Sequence, residues 1–165
     1  VTAFDVSKRA VFAARINGFV RRLPVRAQLG NLFDAVRNGP FDVVLANPPY
    51  VPCERKVVPT GRARAWDAGS DGRALLDPLC RRAPDLLSGQ GFLLLVQSEV
   101  AGIDHSLRQL RAGGLKASAV ARCQVPFGPV MRGRTEFLER SGLIEAGQQC
   151  EDLVVIRADR TQRTR

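Results

Sequence analysis

At 165 residues and 45% hydrophobic content, the chain is the size of one domain with a real core. Its net charge of +9 suits contact with nucleic acid or a ribonucleoprotein, and equally a solvated basic surface, because the arginines are dispersed. No apolar run approaches the ~20 residues of a membrane span, no signal peptide is read at the start, and four scattered cysteines (Cys53, Cys80, Cys123, Cys150) form no CxxC, so the expectation is a cytoplasmic protein with reduced thiols, no metal and no membrane partner. The single histidine, His105, follows Asp104 at an expected helix start and pairs with no nucleophile, which sets hydrolase triads aside.

In chain order, Val1-Thr2-Ala3-Phe4 reads as the tail of a strand closed by Asp5. An acidic residue ending a strand of a nucleotide-binding sheet takes ribose hydroxyls. Asp5-Val6-Ser7 is equally a helix N-cap region, and the two roles are compatible. Apolar Val11, Phe12, Ala14 and Ile16 predict a helix over Ser7 to Phe19, ending near Asn17-Gly18. A brief strand is expected at Pro24–Gln28, and Gly30-Asn31-Leu32-Phe33 follows it. Asn38-Gly39-Pro40 then turns the chain into the next strand.

That strand, Val43-Val44-Leu45-Ala46, has the length and β-branched content of a buried one. It stops at Asn47-Pro48-Pro49-Tyr50, where two prolines remove two backbone donors. Asn47 offers a side-chain carbonyl, and the Pro48 carbonyl is held by a fixed φ. Together they can accept from both hydrogens of one planar –NH2 while Tyr50 supplies a flat face. Such an arrangement holds the nitrogen and keeps electron density on it as an electrophile approaches. The same residues also read as a turn or polyproline linker, and Pro49-Tyr50-Val51-Pro52 fits PxxP, a groove ligand.

Beyond Tyr50, residues 51–72 form a loop rich in Pro, Gly and Arg that is long enough to be functional. Trp66 lies within it, either in a core or walling a pocket. Leu75 to Leu87 predicts a helix that Pro78 and Pro84 kink or split, with Asp77 as an N-cap. Further expectations are a buried strand at Gly91–Val96, a helix at Asp104–Ala112 stopped by Gly113-Gly114, and a strand at Leu115–Arg122. An irregular insert over 123–150 carries a short helix near Thr135–Arg140. The last strand is Leu153–Ile156, followed by a polar tail. Strands alternating with helices imply an α/β fold with a mostly parallel sheet covered on both faces.

Asn47-Pro48-Pro49-Tyr50 resembles the signature of S-adenosylmethionine-dependent amino-methyltransferases, which act on planar amino groups of glutamine, adenine or cytosine. Laid on it, nearly the whole chain resembles the compact HemK-like (PrmC-type) protein-glutamine methyltransferases. Asp5-Val6-Ser7, Gly30-Asn31-Leu32-Phe33, Val51-Pro52, Trp66-Asp67-Ala68-Gly69-Ser70-Asp71-Gly72 and Ala83-Pro84-Asp85-Leu86-Leu87 all share in the resemblance. It implies a class I, Rossmann-like methyltransferase domain over 1–158 with a basic tail at 159–165. It further implies S-adenosylmethionine as cofactor and a peptide chain release factor as protein substrate, with nucleic acid as an alternative partner. By the resemblance Asn47, Pro48 and Tyr50 are catalytic, and Asn47, Pro48, Pro49, Tyr50 and Trp66 bind substrate. Asp5, Asn31, Leu32 and Asn47 bind cofactor, and no metal is needed. Where the family has Asp to accept from the adenine amino group, this chain has Asn31, a weaker acceptor. The family's glycine-rich loop is not in the sequence and would precede Val1. The chain therefore reads as an amino-terminally truncated piece, or a gene called with a late start, without its first, mid-sheet strand and expected to bind cofactor weakly or not at all alone. The alternatives are a DNA or RNA amino-methyltransferase and a non-catalytic remnant.

Overall fold

A computed structural model describes residues 1–54 and 60–161. Part of the expected 51–72 loop and the last four residues of the expected tail lie outside the described residues. The chain divides into two compact units, Val1–Pro40 and Phe41–Arg165.

The first unit runs β1 (Thr2–Asp5), α1 (Lys8–Val20), β2 (Arg26–Leu29) and α2 (Leu32–Asn38). β1 and β2 are parallel, with Asp5 opposite Leu29. Ser7 caps α1, its Oγ accepting from Ala10 N at 3.3 Å. The helix does not stop at Asn17-Gly18 as expected. Gly18 is buried within it, and the positive φ that ends such turns is taken by Arg22, at 51°. α1 leaves Phe12, Ile16 and Phe19 exposed.

The second unit contains β3 (Phe41–Ala46), α3 (Leu76–Leu86), β4 (Leu87–Ser98), α4 (Ile103–Ala112), β5 (Leu115–Pro126), α5 (Pro129–Arg132), α6 (Thr135–Arg140) and β6 (Cys150–Arg160). Its strands lie in the order β3-β4-β6-β5. β3 and β4 are parallel, and β6 is antiparallel to both of its neighbours, so the sheet is mixed. Along β4 and β6 burial alternates with period two, as the pleat requires. Leu93, Leu95, Val154, Ile156 and Ala158 are fully buried, and with Leu76, Cys80, Ala83 and Leu110 of the helices they form the core. No helix among the described residues is long and apolar enough to cross a membrane.

Several elements depart from the sequence reading. α3 is one continuous helix: Pro78 sits in its first turn, where a missing N–H is harmless, and Pro84 is carried inside it. Its N-cap is Leu75, and Asp77 lies within the first turn. β4 begins at Leu87, through an irregularity in pairing between Phe41 and Val43, where a side chain on Gly91 would come within 2.6 Å of Phe41 O. β6 continues to Arg160, so residues 157–160 belong to the sheet and not to the tail. β3 was expected to be buried; instead Val43 and Leu45 are 50% and 74% exposed. Among the described residues β3 pairs only with β4 within its sheet, which leaves it at the edge.

Candidate active site

β3 delivers the Asn47–Tyr50 segment. Ala46 pairs with Leu95 of β4, so the chain leaves the carboxyl edge of the sheet at Asn47, where ligands of open α/β sheets bind. Asn47 is exposed, and Pro48, Pro49 and Tyr50 are half-buried. Tyr50 packs on a cluster built from Val51, Val100, Phe127, Met131, Leu138 and Ile144, and Trp66 packs on the same cluster. The two aromatic residues singled out in the sequence therefore share one apolar floor.

The segment after Tyr50 is held by a strap from further along the chain. Val51 N donates to Trp66 O at 2.9 Å, Ala68 N to Val51 O at 3.0 Å, and Cys53 N to Gly69 O at 2.8 Å. Val51 and Asp67 thereby form a parallel bridge. Gly72 closes the strap against the aromatic residue itself. Its φ is +75°, and a Cβ there would stand 2.3 Å from Tyr50 O. Only glycine lets the two backbones approach this closely. The next residue, Arg73, is buried and fully engaged. Its Nε donates to Asp77 Oδ1 at 2.7 Å, its Nη1 to the carbonyls of Ala101 and Gly102, and its Nη2 to Ser106 Oγ at 3.1 Å. The strap is thus tied to the turn after β4 and to α4.

Burial, and the negative charge of Glu151, push the Tyr50 phenol above its ordinary value, so it is neutral near pH 7. Glu151 is itself pushed up, chiefly by burial and further by Glu99, while a hydrogen bond with Ser98 opposes the rise. It is 7% exposed, and its Oε2 has no hydrogen-bond partner among the described residues. Among the described residues, no group of three or more His, Cys, Asp and Glu side chains could hold a metal ion.

In the first unit, Asp5, Asn31 and Leu32 come together at the carboxyl ends of two parallel strands, where Gly30 N donates to Asp5 O at 3.1 Å. Asp5 is exposed and its Oδ1 accepts from Ser7 N at 2.7 Å, which fixes the orientation of the carboxylate. Asn31 caps α2. Its Oδ1 accepts from Phe33 N at 2.8 Å and Asp34 N at 3.3 Å, while Asp34 Oδ2 accepts from Asn31 N. Asn31 Oδ1, the atom expected to accept from an adenine amino group, is already engaged by these two backbone donors. Leu32 is the half-buried first residue of α2.

Sequence reasoning missed Arg73, Glu151 and Arg134, whose Nη2 donates to Asp67 Oδ1 at 2.5 Å, as parts of this region. The two arginines sat among many others in loops, and Glu151 looked like an ordinary polar residue before a strand. Of the three, Arg73 alone carries a local signal: it directly follows Asp71-Gly72 and precedes a helix.

No family model matches the chain. It is 32% identical over 132 residues to a protein of Methanocaldococcus jannaschii named as a candidate protein N5-glutamine methyltransferase, covering 79% of this chain and 66% of that protein. It is 30% identical over 143 residues to the release factor glutamine methyltransferase of Deinococcus radiodurans, covering 84% of this chain and 48% of that protein. The chain therefore spans only part of these relatives' length. Among solved structures, a methyltransferase from Pyrococcus furiosus matches with a TM-score of 0.57 at 19% identity, covering 98% of this chain and 62% of that one. The fold is that of the class I S-adenosylmethionine-dependent methyltransferases. With the Asn-Pro-Pro-Tyr segment at the end of its strand and these relatives in sequence, the chain belongs to the HemK/PrmC family of protein-glutamine methyltransferases.

Proposed function

We propose that this chain is the catalytic part of a methyltransferase whose acceptor is the side-chain amide nitrogen of a glutamine in a peptide chain release factor. One observation carries the reading. Asn47 to Tyr50 stand at the carboxyl edge of the sheet, fixed from behind by the Trp66–Gly72 strap, with Tyr50 and Trp66 on one apolar floor. S-adenosylmethionine, the methyl donor of this fold class, supplies when bound an electrophilic methyl group on a sulfonium. The chain's own residues supply orientation. The Asn47 amide oxygen and the Pro48 carbonyl accept the two N–H bonds of the acceptor amide, which aims its nitrogen and retains electron density there. Tyr50, held neutral, offers a planar face without adding charge beside the donor. Asp5 takes the ribose hydroxyls.

The test is transfer from labelled S-adenosylmethionine to a release factor carrying a Gly-Gly-Gln loop. Label should appear on the protein and vanish when that glutamine is replaced. Label on another glutamine-bearing protein, with none on the release factor, moves the substrate and keeps the chemistry. Label on free RNA or DNA and on no protein refutes the reading.

A further inference from the structure

The insert between β5 and β6 stands outside the alternation of strands and helices, yet it builds much of the acceptor region. Phe127, Met131, Leu138 and Ile144 come from it, and they form most of the cluster under Tyr50 and Trp66. It also supplies Arg134, the residue that precedes α6. The guanidinium reaches back across the chain. Nη1 donates to Pro52 O at 2.9 Å, and Nη2 to Asp67 Oδ1 at 2.5 Å. Pro52 follows Val51 and Asp67 follows Trp66, so one planar cation spans the two sides of the parallel bridge that fixes the acceptor segment.

The setting makes this contact more than a surface pair. Pro52 is among the fully buried residues, so its carbonyl has no ready water substitute. The Arg134 and Asp67 side chains are 23% and 10% exposed, against 57% and 70% for the nearby pair of Arg140 and Glu54. A partly desolvated, charge-assisted fork is strong and directional, whereas an exposed pair contributes little.

We propose that Arg134 is a positioning residue for methyl transfer: by holding the Pro52 carbonyl and the Asp67 carboxylate in one fork, it sets where Asn47 to Tyr50 stand relative to the insert. This rests on the function proposed above. The role needs a planar fork, not merely a positive charge. A lysine at this position keeps an ion pair with Asp67 but cannot reproduce the geometry to both oxygens.

The chain carries its own reporter, because Trp66 and Tyr50 are its single tryptophan and single tyrosine. The experiment compares the parent with Arg134→Lys and Asp67→Asn in three measurements. These are Trp66 quenching by acrylamide, cofactor affinity by calorimetric titration, and kcat and KM for methyl transfer to the release factor. Arg134→Lys is expected to unfold cooperatively near the parent midpoint and to keep cofactor affinity within about twofold. Its Trp66 should be more readily quenched, and kcat should fall by about tenfold or more, as a displaced reacting group demands. Asp67→Asn should shift Trp66 in the same direction. If Arg134→Lys restores parent quenching and parent kcat, Arg134 serves only as a charge partner and the proposal is overturned. If the full-length parent protein labels no protein, the function proposed above fails, and the quenching comparison still decides whether Arg134 sets the loop.

Discussion

Replacing Gly72 with alanine isolates the packing that holds Tyr50 in place. A methyl group there would stand 2.3 Å from Tyr50 O and 3.2 Å from Ala101 Cβ. An ordinary carbon–oxygen contact is about 3.3 Å, so the Tyr50 carbonyl or the strap must move by roughly 1 Å. The left-handed backbone at φ +75° adds a strain of ~1–2 kcal/mol for any residue with a side chain. Gly147 separates the two effects: it has the same φ of +75° but nothing within 4 Å of its added Cβ. Gly147→Ala should therefore lower the urea midpoint by the strain alone, with turnover unchanged. Gly72→Ala should lower the midpoint further and cut methyl transfer by about 10²-fold, the scale of a 1 Å misplacement at a reacting group. Urea unfolding followed by Trp66 emission, with a labelled-methyl assay, reads both. Equal turnover in Gly72→Ala and Gly147→Ala would refute the idea that this contact positions the acceptor segment.

Further outcomes are expected elsewhere. Asn47→Ala should reduce methyl transfer by about two orders of magnitude, as losing one site-specific hydrogen bond does, with a much smaller effect on cofactor affinity by calorimetry; equal turnover would remove Asn47 from the site. Glu151 binds its proton more tightly in the folded chain than in the unfolded one, so its contribution to stability falls as pH rises from the ordinary carboxylate range through its raised folded value, and the deficit persists above. Glu151→Gln should accordingly be more stable than the parent at about pH 8, with the gap narrowing towards about pH 4; parallel urea midpoints across that range would contradict the assignment. Leu45, 74% exposed on an edge strand, should drive self-association of the 165-residue chain, and Leu45→Lys should lower it in sedimentation runs; unchanged association would place the sticky surface elsewhere.

What could be read from the residues alone was what local chemistry dictates. Two prolines must end a strand, and Ser7 before a helix-forming stretch must cap it, so β3's end and α1's start were legible. Features set by distant partners were not. The end of α1 could not be placed because Arg22 takes a backbone conformation that the sequence suggests for Gly18. The last residues of β6 looked like a tail because Arg157 and Asp159 are charged. In the sheet those two pair with each other, Arg157 lies 4.2 Å over the Phe92 ring, and Ala158 points into the core. The long-range roles of Arg73 and Arg134 were not legible for the same reason: beyond its i,i+4 partner Asp77, Arg73 reaches acceptors 28 to 33 residues away, and those of Arg134 lie 67 to 82 residues away, at separations that no local pattern encodes.

The place of β6 in its sheet has a consequence for how the polypeptide is made. It is made after both β4 and β5, yet it occupies an interior position between them, and they do not pair with each other in the sheet. Until Cys150–Arg160 is synthesised, β4 and β5 each offer an open ladder edge with no native neighbour to fill it, a state prone to wrong pairing. A nonsense codon or a proteolytic nick within that stretch removes no mere fringe: it splits the sheet through its middle and strands the apolar faces of β4 and β5 at once.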